Sequence, residues 1–124
     1  MGSIAFSKEP QHIWAMAGWV LRQVLDDTVS QCPEDSEIAE KFGAAKAMDG
    51  LIVYLLPPEF AARVTSAIRA AAQGVLSGAI RSGIVDKARD SGDQRMVAQD
   101  KEALQELLEA IPSRGTTTGG GSPG

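Results

Sequence analysis

Residues 50–58 read Gly-Leu-Ile-Val-Tyr-Leu-Leu-Pro-Pro, and their conformation decides the fold class of this chain. The apolar run could be a buried strand, because it is short and is bounded by glycine and proline. It could also be the last turns of a helix, because apolar residues recur at helical spacing from Ile38 to Leu56. Gly50 is the only turn signal within that spacing. The pattern therefore favours a helix over about residues 36–56.

Three further helices are predicted from apolar residues that recur every three or four positions. One begins at Ser7, whose hydroxyl can cap the free amides of a first turn, and ends before Pro33. Another begins at Pro58 and ends between residues 76 and 82. The last runs from about Asp93 to Ile111 and is stopped by Pro112. Their apolar stripes are, in turn, Ile13, Trp14, Ala17, Val20, Leu21, Val24 and Leu25; Phe60, Val64, Ala67, Ile68, Ala71 and Val75; and Val97, Leu104, Leu107, Leu108 and Ile111.

These segments predict an all-α fold, a compact bundle of about four helices connected by short loops. Residues 1–6 are expected to be disordered, and residues 7–111 are expected to form a single domain. Residues 112–124 are rich in Gly, Ser, Thr and Pro and cannot bury apolar surface, so a flexible tail is expected there.

The composition excludes several classes of protein. The 124 residues are 44% hydrophobic and 23% charged, with a formal net charge of −4, which is close to the average of soluble globular domains. The single cysteine, Cys32, excludes an intramolecular disulfide and a zinc site made of several thiolates. No apolar run is long enough for a membrane span. A cytoplasmic or otherwise intracellular protein is the expectation.

Residues that could support catalysis are sparse. His12 is the only histidine, and no pattern places a nucleophile and an orienting acid beside it. The glycines at 74, 78 and 83 lack the Lys-Ser/Thr ending of a phosphate-binding loop. We therefore expect no catalytic residues, no metal and no cofactor. Asp49 falls within the apolar line of its predicted helix, and its carboxylate is expected to reach an arginine or water at the edge of that line.

A partner-binding surface is predicted on the first helix and on the acidic segment that follows it. The first part is a stripe opposite the apolar face, where an exposed Trp and Met are typical of binding surfaces. The second part lies in residues 26–40, which contain six acidic residues and no basic one, and which could steer a basic partner. The proposed contact residues are His12, Met16, Trp19, Gln23, Asp35, Glu37 and Glu40.

A ladder of small residues at intervals of four indicates a second contact surface. Ser66, Ala70, Gly74 and Gly78 would lie along one ridge of the third helix, and Ser82 would continue it. Small side chains let two helix backbones approach closely. The ladder is interpreted either as packing within the chain or as the seam of a symmetric homodimer.

Three functions remain open from these patterns. The favoured one is a non-catalytic helical protein-interaction module (an adaptor, regulator or inhibitor) that binds another protein or a second copy of itself. One alternative is a helix-turn-helix-like DNA-binding domain over residues 66–89, turning at Gly74, with Arg69, Arg81, Lys87 and Arg89 on phosphates. The acidic balance disfavours it. The other alternative is a small-molecule binder or enzyme with a pocket near Asp49, Tyr54 and Arg63.

Overall fold

A computed structural model describes residues 2–79, 92 and 94–112, and in this part the chain is a mixed α/β protein. The prediction of an all-α bundle is therefore wrong. The strands are β1 (Gly2–Ala5), β2 (Ile13–Met16) and β3 (Gly50–Ile52). The helices are α1 (Gly18–Gln31), α2 (Ser36–Met48), α3 (Pro58–Ser77) and α4 (Gln94–Ala110). Short 3₁₀ helices at Pro10–His12 and Val53–Leu55 flank β2 and β3.

The three strands form one mixed sheet in the order β2-β1-β3. β1 pairs antiparallel with β2 and parallel with β3. Ile4 of β1 lies opposite both Trp14 and Leu51, and all three side chains are buried. This row forms the inner face of the sheet, because side chains that are directly opposite on neighbouring strands point to the same side.

Residues 50–52 form a strand because α2 ends earlier than its periodicity predicts. Asp49 adopts a left-handed conformation with φ of 54°, and its backbone N–H donates to the carbonyl oxygens of Ala45 and Lys46. A left-handed residue after the last helical turn terminates a helix. The chain then leaves α2 in extended form and pairs with β1, which buries Leu51 and leaves Ile52 exposed.

Residues 2–6 are ordered, with Gly2–Ala5 in the sheet, whereas the sequence predicts disorder over residues 1–6; Met1 lies outside the described residues. Ile4 is fully buried and Phe6 nearly so, and this burial offsets the entropy of ordering the segment. Gly2 permits a close approach of β1 to α1, because a Cβ at this position would collide with the side chain of Leu21. A helix starting at Ser7 is also wrong, since α1 begins at Gly18.

The remaining helix boundaries agree well with the sequence patterns. α2 begins at Ser36, where the Asp35 carboxylate accepts the N–H of Ile38 at 3.1 Å. α3 begins at Pro58 as predicted and ends within the predicted interval, with Gly78 in the left-handed region at φ of 84°. α4 matches its prediction within one residue at each end. Residues 80–91, which include Ser82, and residues 113–124 of the predicted tail lie outside the described part.

The core is built between the inner face of the sheet and the helices. α3 packs against both α1 and α4, and α1 also packs on α2. Trp14 connects the sheet to α4, because its indole Nε1–H donates to the Ala103 carbonyl at 3.0 Å in a buried site. The largest fully buried side chains are Phe42, Ile4, Leu21, Leu25, Ile38, Ile68, Leu107, Val64 and Thr28.

Trp14→Phe tests this connection between the sheet and α4. The change leaves the buried Ala103 carbonyl without its donor, so we expect the free energy of unfolding to fall by about 1–3 kcal/mol in urea titrations. Trp19→Phe makes the same chemical change at a side chain that is 38% exposed, and it serves as the matched control. Equal losses for the two variants would show that the Trp14 hydrogen bond adds nothing.

Candidate functional site

The outer face of the sheet is made of two rows of side chains, in which every residue except the buried Ala5 is exposed or partly exposed. Ile13, Ala5 and Ile52 form one row, in which Ile13 is 42% and Ile52 is 46% exposed. The second row consists of Ala15, Ser3 and Gly50. One row is thus bulky at both ends, and the neighbouring row is small throughout. None of these six residues carries a charge. We call them the outer sheet face.

A groove of about 390 Å³ adjoins the outer sheet face on the side of β3. Ser3, Gly50 and Ile52 belong to both the groove and the face. Met48 and Leu55 line the groove and are 79% and 69% exposed. Large side chains of this type seldom cluster in contact with water unless the surface binds something.

Asp49 positions this groove through its backbone and its side chain. Its left-handed conformation turns the chain from α2 into β3. Its carboxylate pairs with Arg22 of α1, with Nη1 and Oδ1 3.0 Å apart, and both side chains are about half exposed. The prediction that Asp49 reaches an arginine is confirmed.

The alternative of a single pocket shared by Asp49, Tyr54 and Arg63 does not match the structure. Each of these three residues lines a different surface depression.

The structure does not place His12, Met16, Trp19 and Gln23 on one helix face. His12 ends a 3₁₀ turn and Met16 ends β2, whereas Trp19 and Gln23 belong to α1. Trp19 is exposed, as the sequence predicts, while the other three are partly buried. The helical spacing was misleading because residues 13–16 alternate with the period of a strand.

His12 interacts with both Ser7 and Glu9, yet the three residues do not have the geometry of a catalytic triad. Ser7 Oγ lies 2.7 Å from His12 Nδ1, and a Glu9 carboxylate oxygen lies 3.3 Å from the same nitrogen. In a triad the nucleophile and the acid contact opposite ring nitrogens. Ser7 also accepts the N–H of Glu9 at 3.1 Å, which indicates a turn-stabilising role.

The acidic segment is partly neutralised by the chain itself. Arg63 of α3 lies 3.3 Å from Asp35 and 2.8 Å from Glu37, and its guanidinium stacks over the Phe60 ring at 5.1 Å. The hydrogen bond from Arg63 to Glu37 raises the already high pKa of Arg63. Glu40 is exposed. Two of the three acidic residues proposed for a basic partner therefore already have a cation at their carboxylates.

The small-residue ladder lies on the solvent side of α3. Ser66, Ala70 and Gly78 are exposed, and Gly74 is partly buried. α3 continues through Gly74 to Ser77, so the turn that a helix-turn-helix needs at Gly74 is absent. Of the four proposed phosphate contacts, only Arg69 is described, and it donates to the Pro112 carbonyl. Arg81, Lys87 and Arg89 lie outside the described residues.

The surroundings of Cys32 disfavour the thiolate form of its side chain. Partial burial and the nearby Asp35 carboxylate raise the pKa of its thiol, which favours the protonated, poorly nucleophilic form. The thiol donates to the Thr28 carbonyl at 3.2 Å. Within the described ranges, no group of three or more His, Cys, Asp and Glu side chains could hold a metal ion.

Comparison with known proteins finds no matching family model, no matching curated protein and no matching solved structure. In the part of the chain that the structure describes, no helix combines the length and the apolar character needed to cross a membrane.

The outer sheet face was missed because each of its segments is very short. The alternation of Ile13, Trp14, Ala15 and Met16 is a strand signal, but four residues also fit a helical stripe that continues to Leu25. The Asp49-Gly50 dipeptide was a second signal, because Asp-Gly pairs are typical of turns and would have predicted that the helix ends before residue 50.

Two substitutions at Asp49 test its role in ending α2. Asp49→Asn and Asp49→Ala both remove the charge that pairs with Arg22, but only asparagine tolerates the left-handed conformation well. We expect Asp49→Ala to lower the free energy of unfolding by about 1 kcal/mol more than Asp49→Asn in denaturant titrations. Equal stabilities would contradict a conformational requirement at this position.

Proposed function

We propose that this protein is a non-catalytic protein-interaction module and that its outer sheet face binds a second copy of the chain. The observation that carries the proposal is an uncharged, partly exposed sheet face with isoleucines at both ends of one row. A solvent-facing sheet surface is normally polar. An apolar face of this kind is typical of a surface that becomes covered by another protein.

Charge favours a second copy over a charged partner. Each chain has a net charge of −4, so two copies repel each other unless they meet through an uncharged surface. The outer sheet face meets this requirement. A basic protein would gain nothing electrostatically from this face, although the acidic segment of residues 26–40 would attract it elsewhere.

The shapes of the two rows are complementary to each other under twofold symmetry. A twofold axis that runs across the strands between the rows brings the bulky row of one copy over the small row of the other. Ile52 then packs on the second copy's Gly50, and Ile13 packs on the second copy's Ala15. A symmetric interface requires this kind of self-complementary patch. Met48 and Leu55, on the β3 side, would extend the contact at its rim.

This proposal differs from the partner surface predicted from sequence. Trp19 lies in the first turn of α1 and not in the sheet. The ladder from Ser66 to Gly78 lies on the solvent side of α3 and at its C-cap, and also does not belong to the sheet. The outer sheet face therefore replaces both surfaces as the proposed self-interface.

The molar mass in solution tests the proposal directly. Light scattering behind a sizing column, over about a tenfold range of concentration, should give twice the chain mass of 13.0 kDa. Ile52→Lys should give a monomer at every concentration, because it buries an unpaired charge in the interface. Ala39→Lys, an exposed site on α2, introduces the same charge and should leave the dimer intact.

Gly50→Val tests the arrangement of the rows. A Cβ at Gly50 has its nearest neighbours at 3.7 Å, an ordinary contact distance, so the monomer should accept the side chain. In the dimer the valine would occupy the space of the second copy's Ile52, and we expect dissociation with an unchanged circular dichroism spectrum. A monomeric wild type, or a dimeric Ile52→Lys, would overturn the proposed function.

A further inference from the structure

A second groove, separate from the outer sheet face, lies where β1 and β3 end. Its volume is about 260 Å³. Phe6 directly follows β1, and Val53 and Tyr54 directly follow β3; all three line the groove. Because β1 and β3 are parallel, their carboxyl ends meet at the same edge of the sheet. Ligands in α/β proteins commonly bind in the crevice outside this edge.

α3 supplies the polar wall of this groove. Ala62, Thr65, Ser66 and Arg69 line it, and their spacing of three, four and seven residues places them on one face of the helix. Tyr54 adds a third hydroxyl to those of Thr65 and Ser66. The remaining described lining residues are Phe6, Val53, Ala61 and Pro112, so no acidic residue of the described part borders the groove.

The guanidinium of Arg69 lacks a counter-charge among the described residues. No described carboxylate lies within 4.0 Å of it, whereas Arg22 and Arg63 each contact one or two carboxylates. Arg69 is partly buried, and its Nη2 donates to the Pro112 carbonyl over a long 3.5 Å. A guanidinium has five N–H donors in a planar fork that matches a carboxylate. Toward the described residues, most of this donor capacity is unused and is available for a ligand.

We infer that this groove binds a carboxylate attached to a small apolar body. A single guanidinium neutralises a single negative charge, which favours a monoanion over a phosphate ester. The carboxylate contacts Arg69 and the hydroxyls of Thr65 and Ser66, while the apolar body packs against Phe6, Val53 and Ala62. A free organic acid and the C-terminus of a peptide that ends in an apolar residue share this chemistry.

Titration of the ¹⁵N-labelled full chain with phenylacetate tests the site. We expect saturable chemical-shift changes at the amides of Thr65, Ser66 and Arg69. Phenylacetamide has the same shape without the charge and should bind at least about tenfold more weakly, because it loses a charge-assisted pair. Acetyl-Ala-Phe, compared with its C-terminal amide, shows whether a peptide terminus is accepted as well as a free acid.

Arg69→Gln should weaken phenylacetate binding by at least about tenfold. Arg63→Gln removes the same charge from α3 and should leave the affinity within about twofold, because Arg63 does not line this groove. Absence of saturable shifts, equal binding of phenylacetamide, or unchanged affinity of Arg69→Gln would overturn the inference. The comparison with phenylacetamide uses the unmodified chain. It therefore tests whether binding depends on the carboxylate charge even if Arg69→Gln does not fold.

Discussion

The pairing of β1 with β3 is the constraint on which the rest of this structure depends. β1 is the central strand, so it provides the backbone partners of both β2 and β3. Its Ile4 is fully buried between Trp14 and Leu51, and that row forms the surface on which the helices pack. Without β1, neither β2 nor β3 has a strand to pair with. Isolated strands of three or four residues are not stable in water.

The same pairing creates both candidate sites. The sheet has helices on its inner side, and the outer rows around Ala5 and Ser3 are left with uncharged side chains. Because β1 and β3 run in parallel, their ends bring Phe6 and Tyr54 to the same edge, opposite Arg69 of α3. One strand order therefore accounts for an open apolar face and for a groove with a cationic wall.

The side chains that looked functional in the sequence mostly serve the fold. Asp35 caps α2 and contacts Arg63, and Asp49 ends α2 and contacts Arg22. His12 is held in a turn by Ser7. The residues of the two candidate sites are mainly small, apolar or hydroxyl-bearing. Their chemistry becomes visible only when the register and the helix faces bring them together. Tyr54, Ser66 and Arg69 were named from sequence, each in a different role.

The sequence by itself determined α3, α4 and the start of α2, because long stripes such as Val64, Ile68 and Val75 and end signals such as Pro58 and Gly78 are local features. Only the tertiary structure decided that residues 2–5, 13–16 and 50–52 are strands. Each of these segments is too short to show a period, and each becomes a strand through hydrogen bonds to a partner distant in the chain, whose position no local pattern encodes.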